Sequence, residues 1–367
     1  MPPVLHGRAA HHRHRRTRRT PDAPVQLAAV AARRTTYQAH QSQGWVRSPL
    51  FFIIHEQFIN TTCNHGEGMS TEQAPMYGGQ AVIEGVMIRG QSNIAVAVRR
   101  PDGSVATMRH PLTSIYTGKL RRIPLIRGVI AMAETLTLGM RALSYSANVA
   151  AEAEGEEISK ASMAGMMLVS LSLAIGLFFL VPVFASDWLE TLLDSHLLAN
   201  IAEGVFRLLL FLGYIALISR MDDIRRVFMY HGAEHMTVHA QERGDPLDVE
   251  HIRQYPTAHP RCGTAFLLVV MVVAILAFIF VGREPFWWLI TSRIVLVPAI
   301  AAVSYEVIRF SGRHAGNPLV SLITTPSLAL QSLTTRQPDD DQIEIAIVAM
   351  QEAQAADRDA ERVSAMS

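Results

Sequence analysis

Cysteine is scarce in this chain: its 367 residues include two, Cys63 and Cys262. Two cysteines cannot build a disulfide framework, and nothing else in the composition indicates an oxidising compartment. The glycines of Gly78–Gly90 follow neither of the two spacings typical of nucleotide phosphate binding, so we do not expect a phosphate-binding loop there. The apolar stretch Leu50–Ile54 is too short for the core of a secretory signal peptide.

Charge is missing from several long apolar stretches. Hydrophobic residues make up 49% of the chain and charged residues 18%, and the mean hydropathy is positive. The apolar residues collect in runs near the ~20 residues that a helix needs to cross a bilayer. This pattern predicts an α-helical integral membrane protein with about four transmembrane helices. The predicted spans are Ser162–Ser186, Ile201–Ser219, Cys262–Gly282 and Pro285–Ser304.

The charges beside these spans predict their orientation. The loop 186–200 has no Lys or Arg, whereas the loop 220–261 holds six Arg. Positive residues stay on the cytoplasmic side of a membrane protein. We therefore expect a multi-pass plasma-membrane protein, with the central loop and both termini in the cytoplasm and the lipid bilayer as its first partner.

The first residues differ in composition from the rest. Residues 1–68 hold nine Arg against three acidic residues and show no sustained periodicity. We expect residues 1–75 to be a disordered extension, or sequence upstream of the true start near Met69. An Arg cluster alone is weak evidence for nucleic-acid binding, so no nucleic-acid partner is expected.

The remaining segments give a domain map. Residues 76–118 predict a small glycine-rich β subdomain containing a β-hairpin, in which Pro101-Asp102-Gly103 is the turn. Residues 119–161 predict an amphipathic helix, lying in the membrane interface or on the β subdomain, and an acidic linker. The other units are a four-helix membrane domain (162–310) with a cytoplasmic His-rich loop (220–261), a juxtamembrane segment (311–338) and an acidic, polar tail (339–367), either helical or disordered.

The central loop contains the clearest chemical pattern. In Tyr230–His239, His231 and His235 lie four residues apart and Glu234 stands between them. On a helix the two imidazoles share one face, and His239 extends that face by another turn. Two imidazoles with a carboxylate are the groups that hold Zn²⁺ and take a proton from water, and the order H-x-x-E-H occurs in inverted zinc hydrolases. The same histidines also fit a solvated helix face, with Glu234 as an ion-pair partner.

A catalytic zinc ion needs a third protein ligand. His259 and Cys262 precede the third span, and Glu306 follows the fourth, so the topology brings all three candidates to the cytoplasmic face near His231 and His235. Cys262 also fits a small core residue at a helix end. Arg293 lies within the fourth span, where a charge is costly. Either it pairs with a group such as Glu203, or its side chain extends to the membrane surface.

At these residues the chain resembles the YqhQ-like family of bacterial membrane proteins. The matching stretches are Tyr77–Gly90, Arg99–Gly103, Tyr230–His235, His259–Thr264, Ser304–Arg309, and Gln331–Thr335 with Pro338. They cover roughly residues 76–345. Met236 stands where the family commonly has Lys. Members are of unknown function and are described as predicted metal-dependent enzymes, so the resemblance implies a metal site without naming a reaction.

Three functional classes follow from these observations. The first is a zinc-dependent hydrolase acting on a lipid-linked or protein substrate, with His231 and His235 as metal ligands, Glu234 as the base, and Glu306, His259 or Cys262 completing the site. The second is a membrane scaffold or assembly factor in which the histidines are structural. The third is a small transporter with Arg293 facing a polar pathway.

Overall fold

The computed structural model describes residues 76–152, 159–193, 195–281, 285–314 and 317–366. The expected N-terminal extension, residues 1–75, lies outside the described residues, as does most of the acidic linker. Within the described part, the chain is mostly helical and begins with one small sheet.

The sheet has four consecutive antiparallel strands: β1 (Gly78–Val82), β2 (Gly85–Arg89), β3 (Asn93–Arg99) and β4 (Val105–Pro111). The predicted hairpin is confirmed as β3 and β4, and its turn places Gly103 at φ +84°, a conformation that glycine adopts without strain. The glycine-punctuated segment before it forms β1 and β2. The hairpin is therefore half of a larger sheet.

The helices follow in chain order. They are α1 (Ser114–Thr117), a 3-10 turn (Lys119–Arg122), α2 (Ile126–Ala151), α3 (Lys160–Ile175), a π-helical segment (Gly176–Leu180), α4 (Val181–Leu193), α5 (His196–Ile218), α6 (Asp222–Arg243), α7 (Val249–Ile252), α8 (Gly263–Phe278), α9 (Phe286–Arg313), α10 (Pro318–Thr334) and α11 (Asp340–Met366).

Helices cover both faces of the sheet. Successive side chains of a strand point to opposite faces, and here both sets are apolar. Ile88 and Ala97 belong to a core shared with α6 and α11. Met87 and Val96 belong to a second core shared with α2. This region is therefore a three-layer unit in which the sheet positions α6.

The expected polar tail is part of this core. α11 runs from Asp340 to Met366, and its apolar residues are buried against the sheet and α6. Ile343 and Met350 are fully buried. The acidic residues that suggested a tail lie mostly on the other side of the helix, because an amphipathic helix buries only one face.

Three helical stretches are long and apolar enough to cross a membrane: Ala161–Ser186, Leu197–Ile218 and Trp287–Ser311. They correspond to the first, second and fourth predicted spans. The third, α8, is apolar but has 16 residues and falls below that length. Large apolar side chains on these helices are exposed, including Leu173 and Leu209 at 69% and 61%.

The amphipathic helix α2 connects the sheet to the apolar helices. One of its faces packs on β3, and another part packs on α9. Gly128 lies so close to α9 that a Cβ there would stand 2.7 Å from the Cα of Ala302. Arg127 of α2 also pairs through both its Nε and Nη2 with Glu306 of α9. The sheet region and the apolar helices are thus joined by direct packing.

Asp357 fastens α11 to the loop between β2 and β3. It accepts hydrogen bonds from the backbone of Gln91 at 2.8 Å and Ser92 at 2.9 Å. Burial acts to raise the pKa of Asp357, but these hydrogen bonds outweigh it and lower the pKa. The ionised carboxylate is therefore the form that stabilises the fold.

We expect Asp357→Ala to lower the free energy of unfolding by about 1–3 kcal/mol, because two backbone donors lose their acceptor. Wild-type stability should also fall as the pH drops below the unfolded pKa of about 3.9, while the variant should lose this part of its acid sensitivity. Denaturation at several pH values measures both effects. Asp359→Ala, on the same helix but exposed, is the control; an equal loss in both variants would contradict the assignment.

Candidate metal centre

The histidines lie on α6, whose ends are well specified. Asp222 and Asp223 occupy its first turn and Arg243 its last, where each charge interacts favourably with the helix dipole. Gly244 ends the helix in the left-handed conformation, at φ +70°. The four-residue spacing then places His231, His235 and His239 along one face.

The first group of candidate ligands, called here the His/Cys group, consists of His231, His235 and Cys262. One ligand atom of each lies within 4.8 Å of the others. The two imidazole centroids are 4.3 Å apart, and Nε2 of His231 is 3.3 Å from Sγ of Cys262. The group therefore joins α6 to the start of α8, as the sequence predicted from topology.

Backbone carbonyls orient the imidazoles. Nδ1 of His231 lies 2.8 Å from the carbonyl oxygen of Thr334, and Nδ1 of His235 lies 2.6 Å from that of Thr257. A carbonyl oxygen only accepts, so both Nδ1 atoms carry the proton. The Nε2 atoms keep their lone pairs, which is the state that a metal ligand requires. Burial also lowers the pKa of His235, which favours the neutral ring.

Gly232 brings one of these carbonyls into place. A Cβ at this position would stand 2.1 Å from the carbonyl oxygen of Arg336, so only glycine lets the 334–336 backbone pass this close to α6. The backbone N–H of Arg336 donates to Phe228 of α6 at 2.9 Å. This close approach sets the position of Thr334, and through it the ring of His231.

Cys262 caps the N-terminus of α8. Its Sγ accepts from the backbone N–H of Thr264 at 3.4 Å, and the side chain is buried. The sulfur atom therefore lies at the beginning of α8, within reach of the imidazole of His231.

Glu234 is buried between α6 and the sheet, at 3% exposure. Its Oε2 lies 3.5 Å from Nε2 of His235, and it accepts a hydrogen bond from the backbone of Gly79 in β1. Burial raises the pKa of Glu234 above its usual value. Such a carboxyl group exchanges protons closer to neutral pH than an exposed one.

A second group, the His/Glu group, consists of His239, Glu242 and His259, whose ligand atoms also lie within 4.8 Å of one another. His259 was expected with His231 and His235, but its ring is nearer to His239, with centroids 4.5 Å apart, than to His235, at 5.7 Å. Gln331 holds its backbone with two hydrogen bonds of 2.8 and 3.0 Å. Glu242 was missed, although it continues the α6 stripe three residues after His239.

Charges in the His/Glu group depend on burial. Burial, and then the neighbouring His259, lowers the pKa of His239 to about 4, so this ring is neutral at pH 7. Burial acts to raise the pKa of Glu242, but His259 and Arg261 outweigh it and lower the pKa. The group therefore contains an ionised carboxylate beside a neutral imidazole.

Two predicted site residues lie elsewhere. Glu306 belongs to neither ligand group found among the described residues; it accepts from Leu125 at 3.2 Å and pairs with Arg127. The Arg pairing satisfies its carboxylate, and this corrects its expected place beside the histidines. Arg293 is buried at 1% exposure, with Nη2 3.2 Å from Oε2 of Glu203 and its guanidinium over Phe278.

The family model described as "Protein of unknown function (DUF1385)" matches residues 123–356. The chain belongs to the DUF1385 family. The Bacillus subtilis (strain 168) relative "Uncharacterized protein YqhQ" is 34% identical over 295 residues, which are 76% of this chain and 92% of that protein. The resemblance to YqhQ-like proteins is thereby confirmed. No solved structure matches the chain. Every candidate ligand of this DUF1385 protein lies within the matched range.

We expect Gly232→Ala to destabilise this DUF1385 protein strongly, because the added methyl group overlaps the carbonyl oxygen of Arg336. Thermal unfolding in detergent should show a clear fall in Tm. Gly213→Ala in α5 is the matched control: nothing lies within 4 Å of its Cβ position, and alanine favours a helix by up to about 1 kcal/mol. A Gly232→Ala protein as stable as this control would mean that the close approach is not required.

Proposed function

We propose that this DUF1385 protein is a membrane-embedded, zinc-dependent hydrolase whose site lies at the cytoplasmic interface. The observation that carries the proposal is the His/Cys group. His231, His235 and Cys262 bring three ligand atoms within 4.8 Å, about the reach of two zinc–ligand bonds of roughly 2.0–2.3 Å. Three protein ligands with a further coordination position are typical of catalytic zinc sites.

The donors of this group fit zinc chemically. Both imidazoles keep Nε2 unprotonated because a backbone carbonyl accepts from Nδ1, and this arrangement orients metal-binding histidines in many proteins. The third donor is the sulfur atom of Cys262 at the N-terminus of α8, and cysteine sulfur is a common zinc ligand. Two nitrogens and one sulfur form a set that Zn²⁺ binds well.

Glu234 has the position of a proton acceptor in this site. A zinc ion held by the group would activate water for attack on a substrate. Glu234 lies 3.5 Å from His235, and its buried carboxylate would accept the proton that such a water loses. Because burial raises its pKa, Glu234 would then pass the proton to the leaving group near neutral pH. Gly79 holds the carboxylate in place from the sheet.

Support for a membrane location comes from the apolar helices. Three have the length and composition of spans, and many of their large apolar side chains are exposed, as expected of helices that face lipid. The short α8 begins at Cys262, so the His/Cys group stands at the end of an apolar helix. The six Arg of loop 220–261 favour the cytoplasmic side for that end. A site at this level suits a lipid-linked or membrane-protein substrate.

The metal content of purified protein tests the site. We expect wild type to hold zinc tightly, and His231→Ala, His235→Ala and Cys262→Ser to weaken zinc binding at the His/Cys group by at least about tenfold, because each removes one ligand. Glu234→Gln should bind zinc as wild type does. In cells lacking the wild-type gene, Glu234→Gln should cause the same accumulation of uncleaved substrate as gene loss, measured by comparing lipid extracts and membrane proteins. Full function in Glu234→Gln would favour a scaffold instead.

Labelling of single cysteines tests the orientation. The background is Cys63→Ser, and the remaining Cys262 is buried. In this background we expect Ser195→Cys to react with a membrane-impermeant maleimide added to intact cells, because residue 195 precedes α5 on the predicted outer side. Gln254→Cys, exposed in the Arg-rich loop, should react only after permeabilisation. The reverse pattern would place the His/Cys group on the outer face.

A further inference from the structure

The His/Glu group has the features of a metal site of its own. We propose that His239, Glu242 and His259 bind a second divalent transition-metal ion, separate from the ion at the His/Cys group. Two imidazoles and one carboxylate are a common set of ligands for zinc, iron, cobalt and manganese. The three residues come from α6 and from the segment that leads into α8, so the site joins the same two parts of the chain as the first.

The ligands are held before any ion binds. Nε2 of His239 lies 2.9 Å from the carbonyl oxygen of Ala258, so Nε2 carries the proton and Nδ1 keeps its lone pair. Gln331 fixes His259 through both backbone groups of that residue. Such supporting hydrogen bonds are typical of metal ligands.

His259 provides the observation that points to an ion. Its side chain is 5% exposed, and Nε2 lies 3.3 Å from Oε1 of Glu242. This contact is long, and Nε2 makes no regular hydrogen bond to any described group. A buried nitrogen of this kind is costly to leave unsatisfied. A cation placed between the imidazole and the carboxylate would satisfy both.

Two present contacts would compete with that cation. Arg261 pairs with Glu242, and its side chain is 42% exposed, which leaves it room to turn into solvent. The backbone N–H of Arg261 also donates to Nδ1 of His259 at 3.2 Å, which places the ring proton on Nε2. Metal binding through Nε2 would move that proton to Nδ1 and break this long hydrogen bond.

The two groups differ in chemistry. The His/Cys group contains a cysteine sulfur, whereas the His/Glu group contains a carboxylate and no sulfur. Cobalt(II) bound by a thiolate gives a sulfur-to-metal charge-transfer band that cobalt bound by nitrogen and oxygen does not. Absorbance can therefore assign each bound ion to its group.

The experiment is a Co²⁺ titration of the full chain in detergent, followed by absorbance and by elemental analysis after desalting. We expect wild type to bind about two equivalents, one of them with the charge-transfer band. Glu242→Gln and His239→Ala should weaken binding of the Co²⁺ ion that gives no charge-transfer band by at least about tenfold. Both variants should keep the charge-transfer band of the other ion. Cys262→Ser should lose the band and keep the other equivalent. Glu250→Gln, an exposed carboxylate on α7, is the control.

Arg261→Ala separates a metal site from a structural ion pair. Removing the competing guanidinium should strengthen binding of the second equivalent, whereas a merely structural cluster would show no gain. One equivalent in wild type, unchanged in Glu242→Gln and His239→Ala, would overturn the second site and leave the His/Cys group intact. A wild-type protein that binds one equivalent without the charge-transfer band would instead overturn the first site.

Discussion

The close approach of two backbones at Gly232 is the constraint on which the candidate centre depends. The 334–336 segment passes α6 at a distance that no side chain larger than glycine permits. This close approach places the carbonyl oxygen of Thr334 within hydrogen-bond distance of Nδ1 of His231. It also brings in the end of α10, where Gln331 holds the backbone of His259. Because Gly232 has no Cβ, α6 and segments remote in sequence come close enough to form both ligand groups.

The periodic part of this arrangement was predictable from sequence. The spacing of His231, His235 and His239 determines a shared helix face, and flanking charges were sufficient to bring Cys262 to it. Glu306 was expected there as well, because topology places it at the same end of the predicted spans. Topology does not show which side chain lies next to it. Arg127, the second residue of α2, is that neighbour. Glu242 was not among the predicted ligands, although it follows His239 by three residues on the same helix.

Other features depend on contacts that single-sequence patterns do not report. The segment 339–367 looked like a tail because its acidic residues are conspicuous, while Ile343, Ile347 and Met350 repeat at helical spacing and are buried against the sheet. The carbonyls of Thr257, Ala258 and Thr334 orient three imidazoles. Every residue has a backbone carbonyl, so the sequence does not show which ones contact the histidines. Four apolar stretches were evident, and α8 begins where predicted, after Cys262, but the structure ends it at Phe278 rather than at Gly282.

The fastening of Asp357 to Gln91 has a bearing on how the chain is made. The two residues are 266 positions apart, and all the apolar helices lie between them in sequence. During synthesis the part of the sheet that α11 covers therefore stays exposed until that helix has left the ribosome. Contacts of such long separation form late and slowly. We expect cellular chaperones and proteases to act on the sheet while that apolar surface is exposed.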